Sequence, residues 1–170
     1  MASLIIETSR LRLRPFRDDD LPAYAAIWAK PEVVRFLPSE GDTTRASETA
    51  ASFIRAWSEG AWTAGYQPWA VEERAAERLI GHAGLRFSTG LNAAELVYMM
   101  DSSVWGLGYA SEAAIAACDF ARSRLSLDYI AAVALADNAG SLGVLRKAGF
   151  TLERETVADG YRVVRYGRRL

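Results

Sequence analysis

Trp105-Gly106-Leu107-Gly108-Tyr109-Ala110 joins a short alternating run, Ala94 to Met100, to an Ala-rich run from Ala110 to Ser123. The first run reads as a strand and the second as a helix, so the glycines mark a strand-to-helix turn. Glycine at 106 and 108 lets the backbone turn without a Cβ clash, and the opening N–H groups of the helix have no partner inside it. Amides that converge in this way hold an anion. The helix dipole adds roughly 0.3–1 kcal/mol per anionic contact, so a diphosphate can rest there without a basic side chain. Such turns also serve as plain connectors, and the rest of the chain decides between the two uses.

Downstream of the turn, Tyr129 to Ala134 reads as a strand, Ala139 to Ala148 as a helix, and Thr151 to Arg168 as a strand pair about Asp159-Gly160, a strong hairpin signal. Upstream, the pattern has period two from Trp62 onward, with strands at Gln67 to Val71, Arg78 to Phe87 and Ala94 to Met100 forming an antiparallel meander. Arg10-Leu11-Arg12-Leu13-Arg14 alternates strictly, which predicts a strand with leucines inward and arginines on a solvated face. Asp18-Asp19-Asp20 offers caps to a helix carrying Leu21, Tyr24, Ala25 and Trp28, ending before Pro31. Pro31 to Asp42 reads as a loop. Thr43 or Thr44 then caps a helix to about Glu59, with Ala46, Ala50, Phe53, Ile54 and Trp57 on its apolar side. The order predicts a single domain over residues 1–170, an α+β fold in which an antiparallel meander and later strands are accompanied by about four helices.

Composition narrows the function. At 51% hydrophobic and 24% charged residues the chain has ordinary globular proportions, which argues against disorder. A net charge of −1 favours neither a nucleic acid nor a membrane surface as main partner. One cysteine, Cys118, permits no internal disulfide, and the opening MASLIIETSRLRLRP has no apolar core of a signal peptide; a cytoplasmic protein is expected. With one histidine and one cysteine, neither a metal site nor a Cys-His nucleophile pair is expected.

A second motif runs from Asp137 to Phe150. Asn138-x-x-Ser141 followed by Leu145-x-Lys147-x-Gly149-Phe150, together with Trp-Gly-x-Gly-Tyr-Ala-Ser-Glu-Ala at 105 to 113, resembles the GNAT acyltransferase superfamily. The opening Glu7-Thr-Ser-Arg-Leu-Arg-Leu-Arg-Pro-Phe16 and Glu95-Leu-Val-Tyr98 are similar to its branch of ribosomal-protein N-terminal acetyltransferases. The resemblance spans nearly the whole chain. It implies a mixed, mostly antiparallel sheet splayed at its centre, with acetyl-coenzyme A in the gap as acyl donor. The diphosphate would rest on the amides of Gly106, Leu107, Gly108, Tyr109 and Ala110, with Trp105 opening the turn as a further cofactor-binding residue; pantetheine would pair with backbone near Met100, and Asn138 and Lys147 match the motif on the cofactor's other side. Asn138 is equally suited to a plain helix cap.

The implied chemistry moves an acetyl group to a primary amine by direct attack. A lysine near pKa 10.4 loses its proton at real cost, whereas an α-amine near roughly 7.7–8.0 needs only a weak base. The resemblance therefore points to an amine acceptor such as a protein N-terminus, with a small-molecule amine as the alternative, in a monomer or homodimer. Glu95 matches the branch's strand glutamate and is the candidate base; a carboxylate on a solvated face is the competing reading. Many superfamily members carry a tyrosine where Leu145 stands. Ser141 is the nearest substitute as donor to the departing thiolate, although a serine in a first helical turn commonly caps. The missing tyrosine keeps open a non-catalytic acyl-coenzyme A sensor. A dinucleotide oxidoreductase fails on topology, because Asp128 precedes the next strand instead of ending it. Cys118 reads as buried and inert, and His82 as structural or cleft-lining.

Overall fold

The computed structural model describes residues 5–37, 41–58 and 66–170. Its elements are β1 (Ile6–Glu7), β2 (Leu11–Arg14), α1 (Leu21–Trp28), α2 (Pro31–Val34), α3 (Ala46–Trp57), β3 (Pro68–Glu73), β4 (Arg78–Ser88), β5 (Ala93–Met100), α4 (Tyr109–Arg124), β6 (Tyr129–Leu135), α5 (Ala139–Lys147), β7 (Thr151–Ala158) and β8 (Tyr161–Arg169). One sheet holds all eight strands in the order β1-β2-β3-β4-β5-β6-β8-β7. Every neighbouring pair is antiparallel except β5 and β6, which are parallel and meet at a single Cα pair, Glu95 with Ala131. From that point the two strands part, as the resemblance implied.

The sheet separates two apolar clusters, and strand alternation decides which side chain joins which. On one face Tyr24, Trp28, Ala50 and Ile54 of α1 and α3 pack on Phe16, Ala70 and Met99. On the other, Ala113, Ala117 and Cys118 of α4 and Leu145 of α5 pack on Leu11, Leu13, Trp69, Leu85, Leu96 and Met100. Ala113, Ala117 and Ala121 have no exposed surface, because small side chains let α4 lie close to the sheet.

Four expectations about the N-terminal third need correction. Leu11 and Leu13 are buried, but Arg14 is not on a solvated face: it is 5% exposed, donating from both Nη atoms to Asp20 and from Nε to Glu72. Alternation turns Arg14 toward α1, where two carboxylates replace water around its guanidinium. Asp20 consequently does not cap α1 through its side chain; it accepts from Arg14 and from the Arg17 amide at 2.8 Å. Neither Thr43 nor Thr44 caps α3: Asp42 Oδ1 accepts from the Thr44 amide at 2.9 Å and caps the short turn Thr43–Arg45 that leads into α3, which itself has Arg45 at its N-cap and no side-chain cap. Between Pro31 and Asp42 the chain forms the single turn α2 instead of a continuous loop, because proline at its first position is preset for a helix. Pro38, Glu59 and Trp62 lie outside the described residues.

Candidate active site

The turn after β5 has the geometry its glycines predict. Gly106 and Gly108 have φ of +78° and +83°, and Gly108 is the N-cap of α4. The α4 ladder starts with the Glu112 amide donating to the Gly108 carbonyl at 3.0 Å, so the amides of Tyr109, Ala110 and Ser111 precede the first intrahelical bond. A Cβ built on Gly106 would meet nothing within 4 Å, which leaves the outside of the turn open. An anionic diphosphate fits this arrangement of amides.

Side chains of the turn are engaged elsewhere. Tyr109 is buried and its hydroxyl donates to Glu73 at 2.6 Å, so it offers a ligand its backbone only. Trp105 is 48% exposed, and its indole N–H donates to the Met100 carbonyl at 2.9 Å. The contact pins the turn to the end of β5. Leu107 is exposed, and its carbonyl accepts from Arg10 Nη1 at 2.8 Å. Arg10 also donates from Nε to Glu112 at 2.7 Å and lies over the Tyr109 ring. A residue expected on a solvated strand face thus braces the turn from a position about a hundred residues away in the chain. No local pattern in the sequence announces such a contact.

Glu95, Tyr98, Ser141 and Leu145 line one cavity of about 320 Å³ where β5 and β6 part. A larger open hollow of about 560 Å³ on the outer face of α3 is lined by Arg45, Ser47, Glu48, Ala51, Ser52 and Arg55 and contains none of these groups. Alternation along β5 sends Glu95, Val97 and Met99 toward α1 and α3, and Leu96, Tyr98 and Met100 toward α4 and α5. Glu95 is 5% exposed, which removes the solvated-face reading. Its partner is Arg86 across the strand pair, with Nε donating to Oε2 at 2.8 Å. The rest of the wall on this side is aromatic: Trp28, Phe53 and Trp57 pack in series with ring centroids 5.3 and 4.4 Å apart. His82 is part of the same wall, 6% exposed, with Nδ1 2.8 Å from the Tyr24 hydroxyl. Burial, with a smaller contribution from Arg86, lowers its pKa to about 3, so the imidazole is neutral.

On the other face, Asn138 caps α5 by accepting the Ser141 amide at 3.0 Å. Ser141 Oγ lies 2.7 Å from the Tyr98 hydroxyl, a neighbour that no spacing in the sequence suggests. Burial pushes the Tyr98 phenol up to about 12, against a smaller lowering by the hydrogen bond to Ser141, so it stays protonated. Leu145, at 1% exposure, is one helical turn further along the same face. Lys147 is exposed at the end of α5 and is not among the lining residues. Cys118 is fully buried on α4, and burial pushes its thiol up to about 11; it is not a nucleophile at neutral pH.

Comparison with known proteins identifies the family and the fold. The acetyltransferase (GNAT) domain family matches residues 10–151. The chain is 33% identical over 155 residues to the uncharacterized N-acetyltransferase YoaA of Bacillus subtilis (strain 168), covering 88% of this chain and 84% of that protein. In structure it is similar to a GNAT-family acetyltransferase from Bacillus anthracis, with a TM-score of 0.83 at 22% identity and 98% of each chain covered. It is likewise similar to RimL, a ribosomal L7/L12 α-N-protein acetyltransferase solved with coenzyme A, with a TM-score of 0.77 at 20% identity and 98% of each chain covered.

Proposed function

Because the chain belongs to the GNAT acetyltransferase family and is an N-acetyltransferase, we propose that acetyl transfer takes place in the gap between β5 and β6, with Glu95 serving the amine and Ser141 the departing sulfur. The observation that carries this reading is the shared cavity, in which the two residues approach the parted strands from opposite faces of β5. Acetyl-coenzyme A, the donor used by this family, supplies a thioester carbon open to attack. Backbone amides from Gly106 to Ala110 would hold its diphosphate, with Trp105 fixing the turn and Leu107 held from behind by Arg10. Backbone near Met100 would pair with the pantetheine arm, and Asn138 and Lys147 would flank the cofactor from α5.

Glu95 receives the amine's proton, through water where the acceptor does not reach it directly. Its carboxylate accepts from the Arg86 guanidinium at 2.8 Å, and a carboxylate is by its nature a weak base. A weak base suits an acceptor that is readily neutral, such as an α-amine, better than a lysine. The acceptor is accordingly a protein N-terminal α-amine, or a small amine that presents an equally neutral nitrogen. Trp28, Phe53, Trp57 and His82 line the cavity beside Glu95, while the Arg86 side chain stays about half exposed.

The experiment is free-thiol release from acetyl-coenzyme A against a panel of free-N-terminus peptides and small amines, with cofactor binding measured by calorimetry in the same buffer. Release with peptides that begin in a small residue supports N-terminal acetylation. Release with small amines alone assigns a small-molecule acceptor, and binding without release for any amine overturns the proposal.

A further inference from the structure

Tyr98 has no part in that reading, yet it is the group that Ser141 touches. Its hydroxyl is 2.7 Å from Ser141 Oγ and donates to the Ser141 carbonyl at 3.0 Å. From the other side, Asn138 Oδ1 holds the Ser141 amide at 3.0 Å, so the serine backbone is fixed and its hydroxyl rotor is the free variable. A phenol has one proton to give. When that proton goes to the Ser141 carbonyl, the phenolic oxygen accepts the serine proton, and the serine offers nothing to the gap. When it goes to Ser141 Oγ, the serine proton is released to point elsewhere. Rotation about one C–O bond on each side chain separates the two states.

We propose that Tyr98 is a positioning residue for acetyl transfer: its hydroxyl moves from the Ser141 carbonyl to Ser141 Oγ as charge builds on the leaving sulfur, and the serine hydroxyl turns to donate to that sulfur. The proposal rests on the reading of Ser141 given above. In the step served, the amine nitrogen bonds to the acetyl carbon, the carbon–sulfur bond breaks with its electron pair on sulfur, and the amine proton leaves through Glu95 to solvent. Sulfur takes its proton from solvent afterwards. Tyr98 and Ser141 lend hydrogen bonds and keep their own protons.

Three further observations fit. Tyr98 faces α4 and α5 by the alternation of β5, so phenol and serine share one side of the gap. Leu145 sits four residues beyond Ser141 on the same helix face and line of the cavity, and a leucine brings no donor. A phenol on the facing strand supplies one. Its burial also keeps it a donor throughout the range in which an α-amine is neutral.

The same bonds tie α5 to β5, so the test must separate catalysis from tethering. Tyr98→Phe keeps the ring and removes the hydroxyl. One hydrogen bond of about 1–1.5 kcal/mol corresponds to a fall in kcat of roughly tenfold. The expected result is that fall in kcat, with the KM for acetyl-coenzyme A within about twofold of the parent, since the lost interaction acts on the transition state. Ser141→Ala should fall similarly, and Tyr98→Phe/Ser141→Ala should be no slower than Ser141→Ala alone, because each change breaks one chain. An unchanged kcat with a raised KM in Tyr98→Phe would overturn the proposal in favour of a tether. Effects that multiply in the double variant would overturn it too. If Ser141→Ala alone leaves kcat unaltered, the reading of Ser141 fails and this proposal with it; a loss in Ser141→Ala with none in Tyr98→Phe refutes only the role of Tyr98.

Discussion

Replacing Gly108 by alanine and by glutamate should separate what the turn needs for folding from what it needs for binding an anion. Gly108 has φ of +83°, and a Cβ there would come to 3.4 Å of Arg10 Nη2, the far end of a flexible side chain. Space is thus adequate and the main cost is the left-handed backbone, about 1–2 kcal/mol for an L-residue. For a chain of this length each kcal/mol lowers Tm by about 2–4 °C, so both variants should melt about 2–8 °C lower than the parent. Glutamate adds a carboxylate beside the amides proposed to hold the diphosphate. Two like charges about 4 Å apart at an effective dielectric constant near 20 repel by about 4 kcal/mol. Screening reduces this, and a loss of roughly 10²–10³ in coenzyme A affinity is expected beyond that of Gly108→Ala. Calorimetry with coenzyme A and thermal melts on all three proteins make the comparison, repeated at high salt, where the deficit should shrink. Binding by Gly108→Glu within about threefold of Gly108→Ala, at matched Tm, would remove the turn as the diphosphate site.

Glu95→Gln should lower kcat by roughly 10–10²-fold with coenzyme A affinity unchanged, and the loss should narrow at high pH, where the amine is already neutral; an equal pH–rate profile for both proteins would make Glu95 a scaffold residue. Arg14→Met leaves buried Asp20 without its cation and Glu72 with Arg12 alone, and breaking such a buried pair typically costs about 3–5 kcal/mol. Urea or thermal unfolding should register that loss while coenzyme A affinity stays constant, and a Tm within about 2 °C of the parent would contradict it. His82 is neutral when folded, with a pKa near 3, but takes a proton near pH 6.5 when unfolded. The unfolded chain therefore binds more protons between those values, and stability falls as pH drops from about 6.5 toward 3. In His82→Phe the part of that slope below pH 6.5 should be smaller, as read from unfolding free energies at pH 5 and 7; an unchanged slope would refute the assignment.

How much of the molecule could be read from its residues depends on how local each cause is. β4, β5, α4, β6 and α5 lie within two residues of their expected bounds, because periodicity, the two glycines of the turn and Asn138 act within a few positions of themselves. Asp159-Gly160 likewise places the β7–β8 hairpin by its own turn preference. Asp42 rather than Thr43 or Thr44 caps the short turn Thr43–Arg45 that leads into α3, because its carboxylate reaches the Thr44 amide, a choice that several adjacent polar residues leave open in the sequence.

Glu95, Ser141 and the amides at Gly106 to Ala110 were nameable as candidates from the order and spacing of motifs. Their relation in space was not. Alternation in β5 says that Glu95 and Tyr98 face opposite ways, but which of them meets α5 depends on the pairing of β5 with β4 and on the crossover through α4. Arg14 with Asp20 and Glu72, Arg10 with Leu107 and Glu112, and Tyr98 with Ser141 are contacts between residues from 6 to 102 positions apart. The sequence by itself determined most of the elements, the left-handed turn and the Asn138 cap of α5, since each follows from dihedral preference and hydrogen bonds to near neighbours. Only the tertiary structure decided the parting of β5 from β6 and the partners of every buried polar group. Those follow from which strands lie side by side, and a buried charge or hydroxyl takes whatever partner that packing brings within reach.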